Sequence, residues 1–175
     1  MQNYNKNGIK KHQPNKQFKP KQNNNSFKIE QEVVKLLKQN NYKICFAESM
    51  TGGLLASTII SVPGASQVLE QSFITYSNAA KYKILRVNHE TIKEFGVVSE
   101  KVAKEMAEGL FDRTKYDVCV STTGDANSGK LYVGYHIKNK NKTIVECYNL
   151  KGNDRNKNRS QAVTQILYKI ALLLK

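Results

Sequence analysis

Apolar positions along this chain recur in two rhythms, and the switch between them predicts the elements. Between residues 27 and 39, Ile29, Val33, Leu36 and Leu37 fall on one side of a helix, with Ser26 as its candidate cap. Lys43 to Ala47 is short and apolar and reads as a first strand. Gly52 and Gly53 break that run, and a helix is expected from there to Ile60. Pro63-Gly64 marks the segment 61–66 as a turn. Phe73, Ile74 and Thr75 favour a second strand within 71–77. Asn78 is placed to cap a short helix carrying Ala79 to Leu85, and Thr91 with Glu94 has capping-box spacing for another. Ser99 opens a longer helix whose buried stripe is Val102, Ala103, Met106, Ala107 and Leu110.

Strands are then expected over 117–121, 130–138 and 142–149, the last pair joined as a hairpin through KNKN. A final helix from Asp154 to Leu174 buries Val163, Ile166, Leu167, Ile170 and Leu174. Helices interleaved with five strands, the last two antiparallel, predict an α/β fold: a three-layer α/β/α sandwich around a mixed sheet. Ligands of such sheets gather beyond the carboxyl ends of parallel strands. CFAESMTGG, residues 45–53, and VSTTGDANSG, residues 120–129, both fall there.

Composition changes this picture in three ways. First, of the net charge of +14, six lysines lie in residues 1–27 with no acid, leaving +8 on the remainder. Residues 1–26 are lysines set among Asn, Gln and Pro, without the apolar surface to offset the entropy of ordering. They read as a disordered basic tail, suited at most to weak contact with nucleic acid or an acidic surface, before one domain over 27–175. Second, Cys45, Cys119 and Cys147 each sit in an apolar run and read as buried free thiols. With no CxxC pair and with His12, His89 and His136 far apart, neither a metal nor a cofactor is expected. Third, no run nears the roughly 20 apolar residues of a membrane span, and the amino terminus lacks an apolar signal core. A cytoplasmic protein is therefore expected.

Candidate chemistry centres on Ser49. A serine just after a strand and before a glycine-led helix suits a nucleophile beside free helix N–H groups, and equally suits a plain cap. No histidine is well placed to take its proton. In YSNAAK, Tyr76 and Lys81 follow the second strand, and a desolvated lysine can serve as base. Lys81 also reads as an ordinary surface lysine. Glu48 has three readings: orienting Lys81, meeting a substrate amide, or pairing with a surface lysine. Ser77 and Asn78 suit either substrate hydrogen bonds or helix capping. TTGDANSG reads as an ordinary turn or as a backbone cradle for phosphate. Arg155 and Arg159, four apart on one helix face, suit a phosphate clamp or a solvated basic stretch.

Four blocks in one order carry a resemblance: AESMTGGLLASTIISVPGAS, YSNAAK, GVVSEKVAKEMAEG and DRNKNRSQAV. Over residues 28–174 the chain resembles the carboxy-terminal domain of the CinA family, in the group of nicotinamide-nucleotide amidohydrolases (PncC-like). The resemblance implies a homodimer that hydrolyses nicotinamide mononucleotide to nicotinic acid mononucleotide and ammonia without a metal. It implies Ser49 as nucleophile, Lys81 as proton acceptor and Tyr76 as its aid, with Thr51, Gly52 and Gly53 forming the turn behind the nucleophile. Arg155 and Arg159 match the family's D-R-x-x-x-R segment. Thr123, Gly124 and Ala126 match a T-G-x-A-G-P segment whose Gly-Pro pair and glycine-rich insert are missing here, which puts substrate recognition in question. The alternatives are an altered or inactive relative with another amide substrate, and a basic adaptor for nucleic acid.

Overall fold

A computed structural model describes residues 28–140 and 142–175. The 1–26 tail and the Ser26 cap lie outside these residues. The first helix, α1 (Ile29–Gln39), starts at Lys28 with no side-chain cap. It buries Ile29, Val33, Val34, Leu36 and Leu37. Strand β1 (Ile44–Glu48) follows and is buried along its whole length. After it come α2 (Leu54–Ile60), β2 (Phe73–Ile74), α3 (Asn78–Leu85), α4 (His89–Phe95) and α5 (Glu100–Thr114). Strands β3 (Val118–Asp125), β4 (Lys130–Ile137) and β5 (Lys142–Asn149) lead to α6 (Arg155–Leu174).

The five strands form one sheet in the order β2-β1-β3-β4-β5. β1 runs parallel to β2 and β3, whereas β3-β4 and β4-β5 are antiparallel. Alternation along β1 assigns the two faces. Ile44 and Phe46 pack with α1, α2 and α6; Cys45 and Ala47 pack with α3 and α5. This is the three-layer α/β/α arrangement around a mixed sheet. The stripe expected of α5 is its buried set, and all five apolar residues expected of α6 are buried.

Several local expectations are corrected. β2 has two residues rather than seven. Its extension is cut short because the carbonyls of Thr75 and Tyr76 turn to the Lys81 amine instead of a strand partner. Ser77, not Asn78, caps α3, accepting from the Ala80 N–H at 3.1 Å. Asn88 caps α4, and Thr91 lies inside that helix with its hydroxyl donating to Glu105. TTGD is not a loop: Thr122–Asp125 continues β3, paired with Lys130–Val133. Cys45 and Cys119 are buried free thiols, but Cys147 is exposed on the outer strand.

Two helices on the α5 face are drawn together by a missing side chain. A Cβ at Gly109 of α5 would stand 1.8 Å from the Leu85 carbonyl oxygen at the end of α3. Only glycine lets these backbones meet, and α3 is the helix that carries Lys81.

Candidate active site

β1 delivers Ser49 to the carboxyl end of the parallel strands, and neighbouring β3 holds it there. The Ser49 N–H donates to both the carbonyl and the hydroxyl of Thr122, at 3.2 and 3.1 Å. The Thr122 hydroxyl is also 3.0 Å from that of Thr51. Past Ser49 the chain reverses through Gly52 and Gly53, with φ of 59° and 92°, a region costly for residues with a Cβ. Thr51 is fully buried beneath this turn.

Glu48 resolves differently from its three readings. It is fully buried, and its carboxylate accepts from the N–H groups of Gly53, Leu55 and Ala56 at 2.9, 3.1 and 2.9 Å. It therefore fastens the first turn of α2, and it does not line the pocket around Ser49. An anion at a helix amino terminus is favourable, and each bond to a charged group is worth about 1.5–3 kcal/mol net. One consequence is chemical. The Gly53 N–H is taken by Glu48 and the Gly52 N–H by the Ser49 carbonyl. Neither is free for an oxyanion. Among the described residues, the N–H groups of Met50 and Thr51 have no acceptor.

α3 brings Lys81 in from the other side. Its side chain is fully buried, and Nζ is 3.1 Å from Ser49 Oγ, 2.8 Å from the Thr75 carbonyl and 3.4 Å from the Tyr76 carbonyl. These three partners equal in number the two N–H bonds and one lone pair of a neutral amine. A neutral Lys81 donates its N–H groups to the carbonyls and turns its lone pair toward the Ser49 hydroxyl. Burial lowers the Lys81 pKa to about 8. The arrangement can accept a proton from Ser49 near neutral pH.

Around this pair lies a pocket of about 260 Å³ whose lining includes Ser49, Met50, Tyr76, Asn78, Lys81 and Arg155. Thr123, Gly124 and Asp125 also border it. Tyr76 is 64 % exposed, and its hydroxyl makes no hydrogen bond to Ser49 or Lys81; only its backbone carbonyl meets the amine. Asn78 is left open to the pocket because Ser77 does the capping. The Thr123 hydroxyl donates to the Val97 carbonyl at 2.6 Å, tying the pocket wall to the loop before α5.

The two arginines do not act as one clamp. Arg155 lines the pocket and donates to the Asn127 side chain at 3.0 Å. Arg159 lies behind the turn that follows Ser49, donating to the Thr51 carbonyl at 2.8 Å. The β3–β4 turn is closed as a phosphate cradle: the Asp125 carboxylate accepts from the N–H groups of Asn127 and Ser128, and the Gly129 N–H donates to the Asp125 carbonyl. Those bonds hold the Asp125 carboxyl below the usual range, with the Asn127 N–H the main cause.

The histidines stand apart from this site. His136 stacks on Phe111 and bonds Thr143, and His89 stacks on Tyr82. Among the described residues no cluster of His, Cys, Asp or Glu could hold a metal, and no helix is long and apolar enough to cross a membrane. Thr122, the anchor of the Ser49 backbone, was not singled out by sequence. Its signal is the run VSTTGD, in which hydroxyl residues continue a strand instead of ending it.

Fold and site together define an α/β/α domain with a buried serine–lysine pair at the end of its parallel strands. The chain belongs to the CinA C-terminal domain family, whose model matches residues 26–174. It is 42 % identical over 149 residues to a putative competence-damage inducible protein of Finegoldia magna, covering 83 % of this chain and 36 % of that one. It is 43 % identical over 140 residues to a CinA-like protein of Fusobacterium nucleatum, covering 75 % and 33 %. The chain thus spans about a third of the length of these relatives. Among solved structures, a CinA superfamily protein of Escherichia coli superposes with a TM-score of 0.77 at 28 % identity, covering 83 % of this chain and 87 % of that one. A competence/damage-inducible protein of Agrobacterium tumefaciens gives 0.79 at 27 % identity, covering 84 % and 96 %.

Proposed function

We propose that the protein hydrolyses the carboxamide of nicotinamide mononucleotide, giving nicotinic acid mononucleotide and ammonia. The observation that carries this reading is the 3.1 Å approach of a buried, pKa-lowered lysine amine to the hydroxyl of Ser49. Neutral Lys81 takes the Ser49 proton as Ser49 Oγ bonds to the carboxamide carbon. The carbonyl electron pair moves to oxygen, facing the free N–H of Met50. Collapse breaks the C–N bond, and Lys81 returns the proton to the departing ammonia. Water then attacks the acyl-serine with Lys81 again as base. Tyr76, on the open rim, covers the substrate rather than relaying the first proton. Asn78 and Arg155, which line the pocket, are assigned to the ribose phosphate. Assembly as a homodimer in the cytoplasm belongs to the same reading.

Ammonia release from nicotinamide mononucleotide tests it, with S49A as control. Release by wild type and none by folded S49A is expected; turnover retained in S49A removes Ser49 as nucleophile. A second reading, another amide as substrate, is favoured by the short β3–β4 turn, whose N–H groups are spent on Asp125. A panel of nicotinamide riboside, nicotinamide and simple amides separates the two. The adaptor reading rests on the basic tail and is tested by nucleic-acid binding against salt after deletion of residues 1–25.

A further inference from the structure

Arg159 is separated from the reacting atoms by a short series of peptide groups. Its Nη2 donates to the Thr51 carbonyl at 2.8 Å, and its Nη1 is steered by the Asn156 side chain at 3.3 Å. The guanidinium lies flush against the turn: a Cβ at Gly52 would stand 3.2 Å from Nη2. The Thr51 carbonyl shares its peptide with the Gly52 N–H, which donates to the Ser49 carbonyl at 3.2 Å. The Ser49 carbonyl shares its peptide with the Met50 N–H. That last N–H has no acceptor among the described residues, and Met50 borders the pocket beside Ser49. Two peptides in series therefore join a fixed cation to an open donor. A carbonyl that receives a hydrogen bond makes the N–H across its own peptide a better donor, so the effect accumulates along the series.

We propose that Arg159 is a positioning residue for acyl transfer: through the Thr51 and Ser49 carbonyls it fixes and polarises the Met50 N–H that receives the oxyanion. The proposal rests on the reading of Ser49 as nucleophile. It separates two arginines that sequence places on one face, since Arg155 lines the pocket and Arg159 does not. The Arg159 Nε is buried without a partner, so the guanidinium is oriented by the Thr51 carbonyl and Asn156 and not by full satisfaction of its own donors. Because Arg159 acts on the oxyanion, its influence falls on the transition state and not on substrate binding. The same donor serves any acyl group brought to Ser49.

The test uses R159A and R159K in the full chain, with two substrates. Steady-state hydrolysis of nicotinamide mononucleotide gives kcat and KM. The pre-steady-state burst with p-nitrophenyl acetate, with the Ser49 adduct confirmed by mass spectrometry, gives acylation alone. R159A is expected to lower kcat and the burst rate by about 10- to 50-fold, less than loss of an oxyanion donor itself. KM is expected to change by less than about 3-fold, because no substrate contact is lost. Added guanidinium ion at non-denaturing concentration is expected to restore part of the burst rate in R159A. R159K is expected to fall between R159A and wild type, and it decides the matter should R159A not fold. A raised KM with kcat intact overturns the proposal and makes Arg159 a substrate ligand. A loss that neither guanidinium nor lysine restores also overturns it, as does a wild-type rate in either variant. Should wild type acylate at Ser49 but leave nicotinamide mononucleotide intact, the substrate assignment fails while the burst still judges Arg159.

Discussion

Two turns meet at the same end of the sheet, and each is closed by an acidic side chain. In the turn after β1, Glu48 is buried and binds backbone N–H groups downstream, at Gly53, Leu55 and Ala56. The N–H groups of Met50 and Thr51, nearer Ser49, stay without acceptors among the described residues. In the turn after β3, solvent-facing Asp125 takes the N–H groups of Asn127 and Ser128, and its own carbonyl takes that of Gly129. The first turn keeps donors in reserve; the second spends them on its own closure. A turn rich in glycine and polar residues is therefore no evidence of an anion site until its N–H groups are counted.

The comparison breaks most sharply at Lys81, whose amine meets Ser49 at the first turn. Lys81→Met removes the proposed proton acceptor with little change in volume. It is expected to lower kcat for carboxamide hydrolysis by about 1,000-fold or more. In wild type, kcat/KM should climb about tenfold per pH unit below pH 8 and level off above it, as an amine with a pKa of about 8 loses its proton. The variant's residual rate should lack that limb. A wild-type pH profile in K81M would show that another group takes the proton.

Next in size is the carboxylate of the first turn. Glu48→Ala strands one buried and two part-buried N–H groups at the head of α2 and should cost about 3–5 kcal/mol of stability. Urea unfolding measures this. An effect below about 1 kcal/mol would mean that water replaces the carboxylate and that the turn is not held from beneath. Thr122→Val keeps the shape of the strand while removing the hydroxyl that Ser49 N–H and Thr51 share. It should cost about 1–2 kcal/mol. It should also lower kcat more than it raises KM, since it loosens Ser49 and no substrate contact. An unchanged kcat would leave β3 as a scaffold with no hold on Ser49.

How much of this was legible in the sequence follows from the range of each interaction. The stripe of α5 and the buried face of α6 are helical periodicities, and these depend only on neighbours three and four positions away. The cap of α3 is off by one residue for the same local reason: Ser77 and Asn78 are both good caps, and the backbone entry angle chooses between them. The length of β2 was not legible, because it is ended by Lys81 drawing the Thr75 and Tyr76 carbonyls away from the edge. At the site, Ser49 and Lys81 stood out as residue types able to react, but their distance is set by packing between α3 and α5 at Gly109. The role of Glu48 is not legible locally, because its partners lie five, seven and eight residues ahead, a spacing that no standard capping motif announces. The division of labour between Arg155 and Arg159 needed the turn in three dimensions, since both lie on one helix face.

The smallest expected effect comes from the second turn and sharpens the comparison most. Asp125 borders the pocket beside Arg155, so its charge opposes the phosphate that Arg155 would attract. Asp125→Asn removes that charge, and the KM of a phosphorylated substrate should fall by about 2- to 3-fold at low ionic strength, with the gain fading as salt rises. Nicotinamide riboside, which has no phosphate, should show no such gain. Stability gives a second reading with a defined sign. The Asp125 carboxyl is held below its ordinary value of 3.8 in the folded chain, mainly by the Asn127 N–H, so its contribution is present above that value and lost as pH falls through the folded one. The thermal midpoint of wild type should therefore exceed that of D125N at neutral pH, and the difference should close in acid. A gap that persists below the folded pKa would mean that the turn is held by its shape, and that the bonds from Asn127 and Ser128 contribute nothing to closing it.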